Sequence, residues 1–213
     1  MDIIYTTKKG EKCMVGKIIY SVIYSLLLLY GSIQFIPYYN ILSYFPKQFQ
    51  EYYIKQEVIK YCQYYNRNYS DGIYTNITQA ILIGQKQFPF IHYKKILALI
   101  SIESHWNIYA TNKNSNNTYD YGLTQQNSKF IDIRYNKAKT ICNKYNVTYT
   151  SSYYDIILNI ISAYIYVADI QYYITCPKQQ IIAYNTGIKG SYKYNKNSDA
   201  FPYYQKFYKI YNL

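Results

Sequence analysis

Residues 18–36, IIYSVIYSLLLLYGSIQFI, carry no charged side chain. Nineteen residues at the α-helical rise reach about 28 Å, close to the hydrocarbon thickness of a bilayer. Beyond Pro37 and Pro46 the pattern changes from a solid apolar run to stripes. Residues 47–65, KQFQEYYIKQEVIKYCQYY, read as a partly amphipathic helix, either a stalk or a helix packed on a domain. NRNYSDG (66–72) reads as a loop. Helical periodicity returns at about 74–87, breaks at QFPF, and resumes at about 92–105. A polar stretch, TNKNSNNTYDYG, fills 111–122 as a loop. Further helices fit about 127–145, 153–173 and 177–185, with a last one near 200–211. No segment sustains the strict alternation of a strand, and no internal repeat is present. The pattern predicts a mostly α-helical domain.

Flanking charge orients the apolar run. Lys8, Lys9, Lys12 and Lys17 precede it, against Asp2 and Glu11. The positive-inside rule then leaves the N-terminus in the cytoplasm and the residues after about 38 outside. A cleaved signal peptide is the rival reading, since its n-region is also basic, but the run is long for an h-region and no clean small-x-small site follows it. The expected organisation is a cytoplasmic tail (1–17), a single-pass signal-anchor (18–37), a stalk or linker with a helix (38–75) and an extracytoplasmic domain (76–213).

Composition adds less. Tyr supplies 34 residues of a chain that is 50% hydrophobic, and mean hydropathy is still −0.29. Lys outnumbers Arg 21 to 2 and Asn and Ile are abundant, the usage of an AT-rich genome. The net charge of +12 suits an anionic polymer, but the lysines are dispersed and no nucleic-acid motif is present, so a nucleic-acid partner is not expected. None of the four cysteines, Cys13, Cys62, Cys142 and Cys176, forms a CxxC pair or neighbours a histidine. No metal site is expected, and at most one disulfide joins the three that follow the apolar run.

One charge sits out of pattern. On a helix over 93–105, Ile96, Leu99, Ile100 and Glu103 fall at i, i+3, i+4 and i+7, on one face. A carboxyl in apolar surroundings resists ionising, and a carboxyl kept protonated near neutral pH is what a general acid needs. Alternatively, Glu103 lies at the helix end and turns to water.

Three short motifs follow in order: Glu103-Ser104 with Ala110, then Gly122-Leu123-Thr124-Gln125, then Ala183-Tyr184-Asn185-Thr186-Gly187. Together they resemble the lytic transglycosylases of goose-lysozyme-like fold, whose pattern reads ESxxxxxA, GLMQ, AYNxG. DIILNIISAYIYVADI and the closing FPYYQKFYKIYNL are similar to two further helices of that family, so the resemblance spans about 76–213. Thr124 stands where Met is usual, which predicts an altered fit near the cleft, and the Asn-rich loop before Gly122 puts the saccharide register in doubt.

The resemblance implies a lysozyme-like helical catalytic domain acting on peptidoglycan without a cofactor. It implies cleavage of the β-1,4 bond between N-acetylmuramic acid (MurNAc) and N-acetylglucosamine (GlcNAc) with a 1,6-anhydro product, Glu103 serving as acid and then base. Ser104, Gln125 and Tyr184 would hold the sugar or the glutamate, Asn185 would order its turn, and Gly122 and Gly187 would let backbone approach the sugar. Trp106, the only tryptophan, is expected to pack rather than stack on substrate. Asp120 leaves open an inverting, lysozyme-type hydrolase, and a non-catalytic wall-binding scaffold is a third reading. Secretion, conjugation or phage machinery would all use such an enzyme.

Overall fold

The computed structural model describes residues 45–194 and 200–212, and the charge-free run at 18–36 lies outside them. Eight helices and one small sheet make up the described chain: α1 (Lys47–Tyr64), α2 (Asp71–Gln87), α3 (Tyr93–Ser104), β1 (Thr111–Lys113), β2 (Tyr119–Tyr121), β3 (Gln126–Asn127), α4 (Ile131–Lys144), α5 (Ile156–Tyr173), α6 (Pro177–Thr186), α7 (Ile188–Ser191) and α8 (Ala200–Tyr211).

The central element is α5. By length and composition it is apolar enough to cross a membrane, yet 61% of it is buried inside the protein, so it is the core helix of the domain. Asp155 starts it by accepting the Leu158 N–H at 2.8 Å. Helices α2, α4 and α6 pack around α5. Gly84 on α2 makes the closest approach possible: a Cβ there would fall inside the Tyr164 ring.

Helix α1 is packed, not a free stalk. Ile54, Val58, Tyr61 and Cys62 recur at helical spacing and are buried in the common core. Lys55 pairs with Asp71 at 2.7 Å, and the Tyr61 hydroxyl donates to the Ile210 carbonyl on α8 at 3.3 Å.

The polar stretch 111–122 is not a loop. It forms an antiparallel hairpin, β1 on β2, extended by β3, with Asn112 opposite Asp120 and Asp120 opposite Asn127. Asn114 closes the turn, its N–H donating to the Thr118 carbonyl at 2.8 Å, while Asn117 takes the left-handed conformation at φ 63°. Strands of two or three residues are too short to print an alternation in sequence.

Candidate active site

A cleft of about 470 Å³ opens between the sheet, the start of α4 and the C-terminal end of α6, and the end of α3 enters it. Helix α3 carries Ile96, Leu99 and Ile100 into the core and brings Glu103, one turn later, half-buried into this cleft. The helix then stops in two successive left-handed residues, His105 (φ 49°) and Trp106 (φ 60°). Trp106 is fully buried, its indole N–H donating to Ser101 Oγ at 2.8 Å, so it packs as expected.

Burial pushes the Glu103 carboxyl up to about 7. The Tyr203 hydroxyl, donated from α8 to Glu103 Oε1, pulls the other way, and the negative charge of Asp120 adds to the rise. Asp120 lines the same cleft, held by Asn127 Nδ2 on one oxygen (2.7 Å) and Asn114 Nδ2 on the other (2.9 Å).

Tyr184 and Gln125 line the cleft as well. The Tyr184 hydroxyl donates to the Thr124 carbonyl at 3.0 Å, and burial raises its phenol far above the ordinary value. Gln125 sits at φ 48°, its amide nitrogen donating to the Gly122 carbonyl at 2.9 Å and the Ala110 carbonyl at 3.3 Å. Asn185 is exposed on the cleft rim, beside Gly187.

Two expected contacts do not form in the cleft. Ser104 is buried and donates to the Ile100 carbonyl of its own helix at 3.1 Å, away from Glu103. Gly122 is buried rather than sugar-facing: at φ +75° a Cβ there would sit 2.6 Å from Asn159 Nδ2. Its smallness serves the Asn159 side chain, whereas Gly187, at φ +76° on the cleft, does face open space.

Thr124 also turns inward rather than altering the cleft. It is fully buried, with its N–H donating to Asn159 Oδ1 at 2.8 Å and its hydroxyl accepting from Gln126 Nε2 at 2.9 Å. A methionine would keep the backbone bond but lose those of the hydroxyl.

Residues 82–207, more than half of the chain, match the Transglycosylase SLT domain. The chain belongs to the SLT transglycosylase family. No curated protein and no solved structure matches it. Membership places the SLT domain among lytic enzymes of the transglycosylase type, with peptidoglycan as substrate, and the mostly helical architecture is consistent with its lysozyme-like fold.

Sequence reasoning missed Tyr203 as the partner of the SLT domain's Glu103. The segment FPYYQKFYKIYNL was recognisable as a family helix, but nothing marks one of 34 tyrosines as the one that turns inward. It also missed Arg134, whose only signal was rarity, as one of two arginines in the chain.

Proposed function

We propose that this SLT domain cleaves the MurNAc–GlcNAc β-1,4 bond without water, with Glu103 as acid and then base. Glu103 enters protonated and gives its proton to the glycosidic oxygen as the C1–O bond breaks. The muramyl 2-acetamido oxygen shares the positive charge at C1. The Glu103 carboxylate then takes the proton of the C6 hydroxyl, whose oxygen bonds to C1. One strand leaves with a free 4-hydroxyl, and the other ends in a 1,6-anhydro ring. Tyr203 holds Oε1, so the transferable proton belongs on the other carboxyl oxygen. Tyr184, Gln125 and Asn185 form the wall and rim against which the sugar seats.

The observation that carries this reading is the carboxyl of Glu103 itself: half-buried on the cleft, hydrogen-bonded to a tyrosine, and raised to about 7. That value lets one group donate and then accept a proton near neutrality. A second reading rests on Asp120, which lines the same cleft and acts on Glu103 electrostatically. As a base holding an attacking water it would make the enzyme an inverting hydrolase.

We also propose that residues 18–36 anchor the chain in the membrane, with the tail 1–17 inside and the domain on the wall side. There it would open the wall locally, as secretion, conjugation or phage machinery requires.

The test is full-length protein in detergent with purified peptidoglycan, beside Glu103→Gln and Asp120→Asn. Anhydro-muropeptides, lost in Glu103→Gln and kept in Asp120→Asn, support the first reading. Fragments heavier by one water, lost in both variants, support the hydrolase. Wall binding without fragments would leave a scaffold.

A further inference from the structure

Two cations stand on the wall of the cleft at the start of α4, and neither belongs to the proton chemistry at Glu103. Arg134 sits over the Tyr166 ring, its guanidinium carbon 3.8 Å from the centroid and 5.5 Å from that of Phe130. Lys129 Nζ stands 5.6 Å from the same Phe130 ring. Both line the cleft.

Arg134 is held in place from several sides. Its Nη1 donates to Gln126 Oε1 at 3.1 Å, and Gln126 in turn donates to Thr124 Oγ1 at 2.9 Å in the buried core. The platform beneath it is fixed too, since the Tyr166 hydroxyl donates to the Ala183 carbonyl at 3.1 Å. A guanidinium ordinarily carries the rotamer freedom of a long side chain. Here that freedom is already spent before any ligand arrives, which favours binding.

No acid touches either cation of this wall. Among the described residues, neither Arg134 nor Lys129 makes an ion pair, and the pair that is seen, Lys55–Asp71, joins α1 to α2. The cleft's own acids are engaged elsewhere: Glu103 by Tyr203, Asp120 by two asparagines. Arg134 and Glu103 flank Tyr184, whose phenol feels both charges. A chain that uses lysine 21 times and arginine twice has placed one arginine here, where a planar fork can meet a carboxylate.

We propose that Arg134, assisted by Lys129, is a carboxylate-binding subsite for the peptide that a muramyl residue carries, and that it makes the enzyme select glycan whose peptide carboxylates are free over glycan whose peptide carboxylates are blocked. The proposal rests on the reading of the cleft as a peptidoglycan site. In peptide-bearing glycan the sugar rings are neutral and the lactyl carboxyl of muramic acid is tied up as an amide, so a preorganised cation in the cleft finds its carboxylate on the peptide. The short peptides on muramic acid supply free carboxylates next to the sugar that reacts.

The experiment compares full-length protein in detergent on peptide-bearing glycan strands with their peptide carboxylates free and on the same strands with those carboxylates converted to amides. Wild type should cut the strands with free carboxylates about tenfold faster, the worth of a charge-assisted hydrogen bond. Arg134→Gln should bring the ratio close to one, and Arg134→Lys should fall between. A parallel arm measures the affinity of Glu103→Gln protein for a soluble peptide-bearing muropeptide, with its carboxylates free or converted to amides. Amidation should weaken binding about as much. Equal rates of wild type on both strands, or a ratio unchanged in Arg134→Gln, would overturn the subsite. No turnover on either strand would overturn the proposed reaction instead, and the affinity arm would still decide the subsite. That arm also decides it if Arg134→Gln fails to fold, because there only the ligand changes.

Discussion

Glu103 trades stability for a usable proton. An ordinary glutamate titrates near 4.5, and this one at about 7. Between those values the folded protein keeps a proton that the unfolded chain has shed, so stability falls as pH rises, and the full penalty is present above about 7. The gap corresponds to about 3 kcal/mol, an upper figure because the carboxyl reaches the cleft's solvent. Glu103→Gln removes the penalty while keeping an acceptor for Tyr203. Its melting temperature should exceed wild type by several degrees at pH 8 and by little near pH 4.5. An equal difference at both values would mean that the carboxyl is not buried in this sense. On the proposed mechanism activity follows the same carboxyl: kcat/KM should fall as pH rises through about 7, as Glu103 loses its proton. Tyr203 lowers that value by hydrogen-bonding the carboxylate. Tyr203→Phe should therefore move the basic limb to higher pH, and a pH–rate profile with an unmoved limb would remove Tyr203 from the site.

The end of α3, which carries Glu103, is held from outside the helix. Two consecutive left-handed residues that are not glycine, His105 and Trp106, are strained by about 1–3 kcal/mol each. The clamp comes from the segment joining α1 to α2, outside the matched residues 82–207. There Arg67 Nε donates to the His105 carbonyl at 3.2 Å, and the Tyr69 hydroxyl to the Trp106 carbonyl at 2.6 Å. Tyr69→Phe should cost about 1 kcal/mol of stability and lower kcat several-fold with KM little changed. Stability and kcat both at wild-type level would mean the turn holds itself. None of this was legible in the sequence, because strain at a non-glycine residue leaves no compositional mark. The helices were legible to within a few residues, since stripes such as Ile96, Leu99, Ile100 and Glu103 repeat at 3.6. Helix α1 was ambiguous between stalk and core because exposed Tyr52 and Tyr53 blur its apolar face. The hairpin was hidden by its three-residue strands, and Ser104 and Gly122 were placed by motif where only their surroundings could decide.

At the scale of the whole chain, orientation can be read from its cysteines. Cys62 and Cys142 are buried, and burial pushes their thiols to about 12 and about 11, so they react slowly with maleimides. Cys176 is a free, exposed thiol at the start of α6. Cys13 precedes the charge-free run at 18–36. If that run is an anchor with the tail inside, Cys13 and Cys176 lie on opposite sides of one membrane. A membrane-impermeant maleimide applied to intact spheroplasts should then label Cys176 in a Cys13→Ser protein at once. It should label Cys13 in a Cys176→Ser protein only after lysis. Labelling of Cys13 before lysis would invert the topology and place the cleft away from the wall. A Cys176→Ser protein that never labels, with a mass short of its first residues, would mean a cleaved signal and a domain released from the membrane. Those outcomes change where the enzyme can act: an anchored domain reaches only wall within a tether's length, which suits the opening of a local gap, whereas a released one reaches the whole wall.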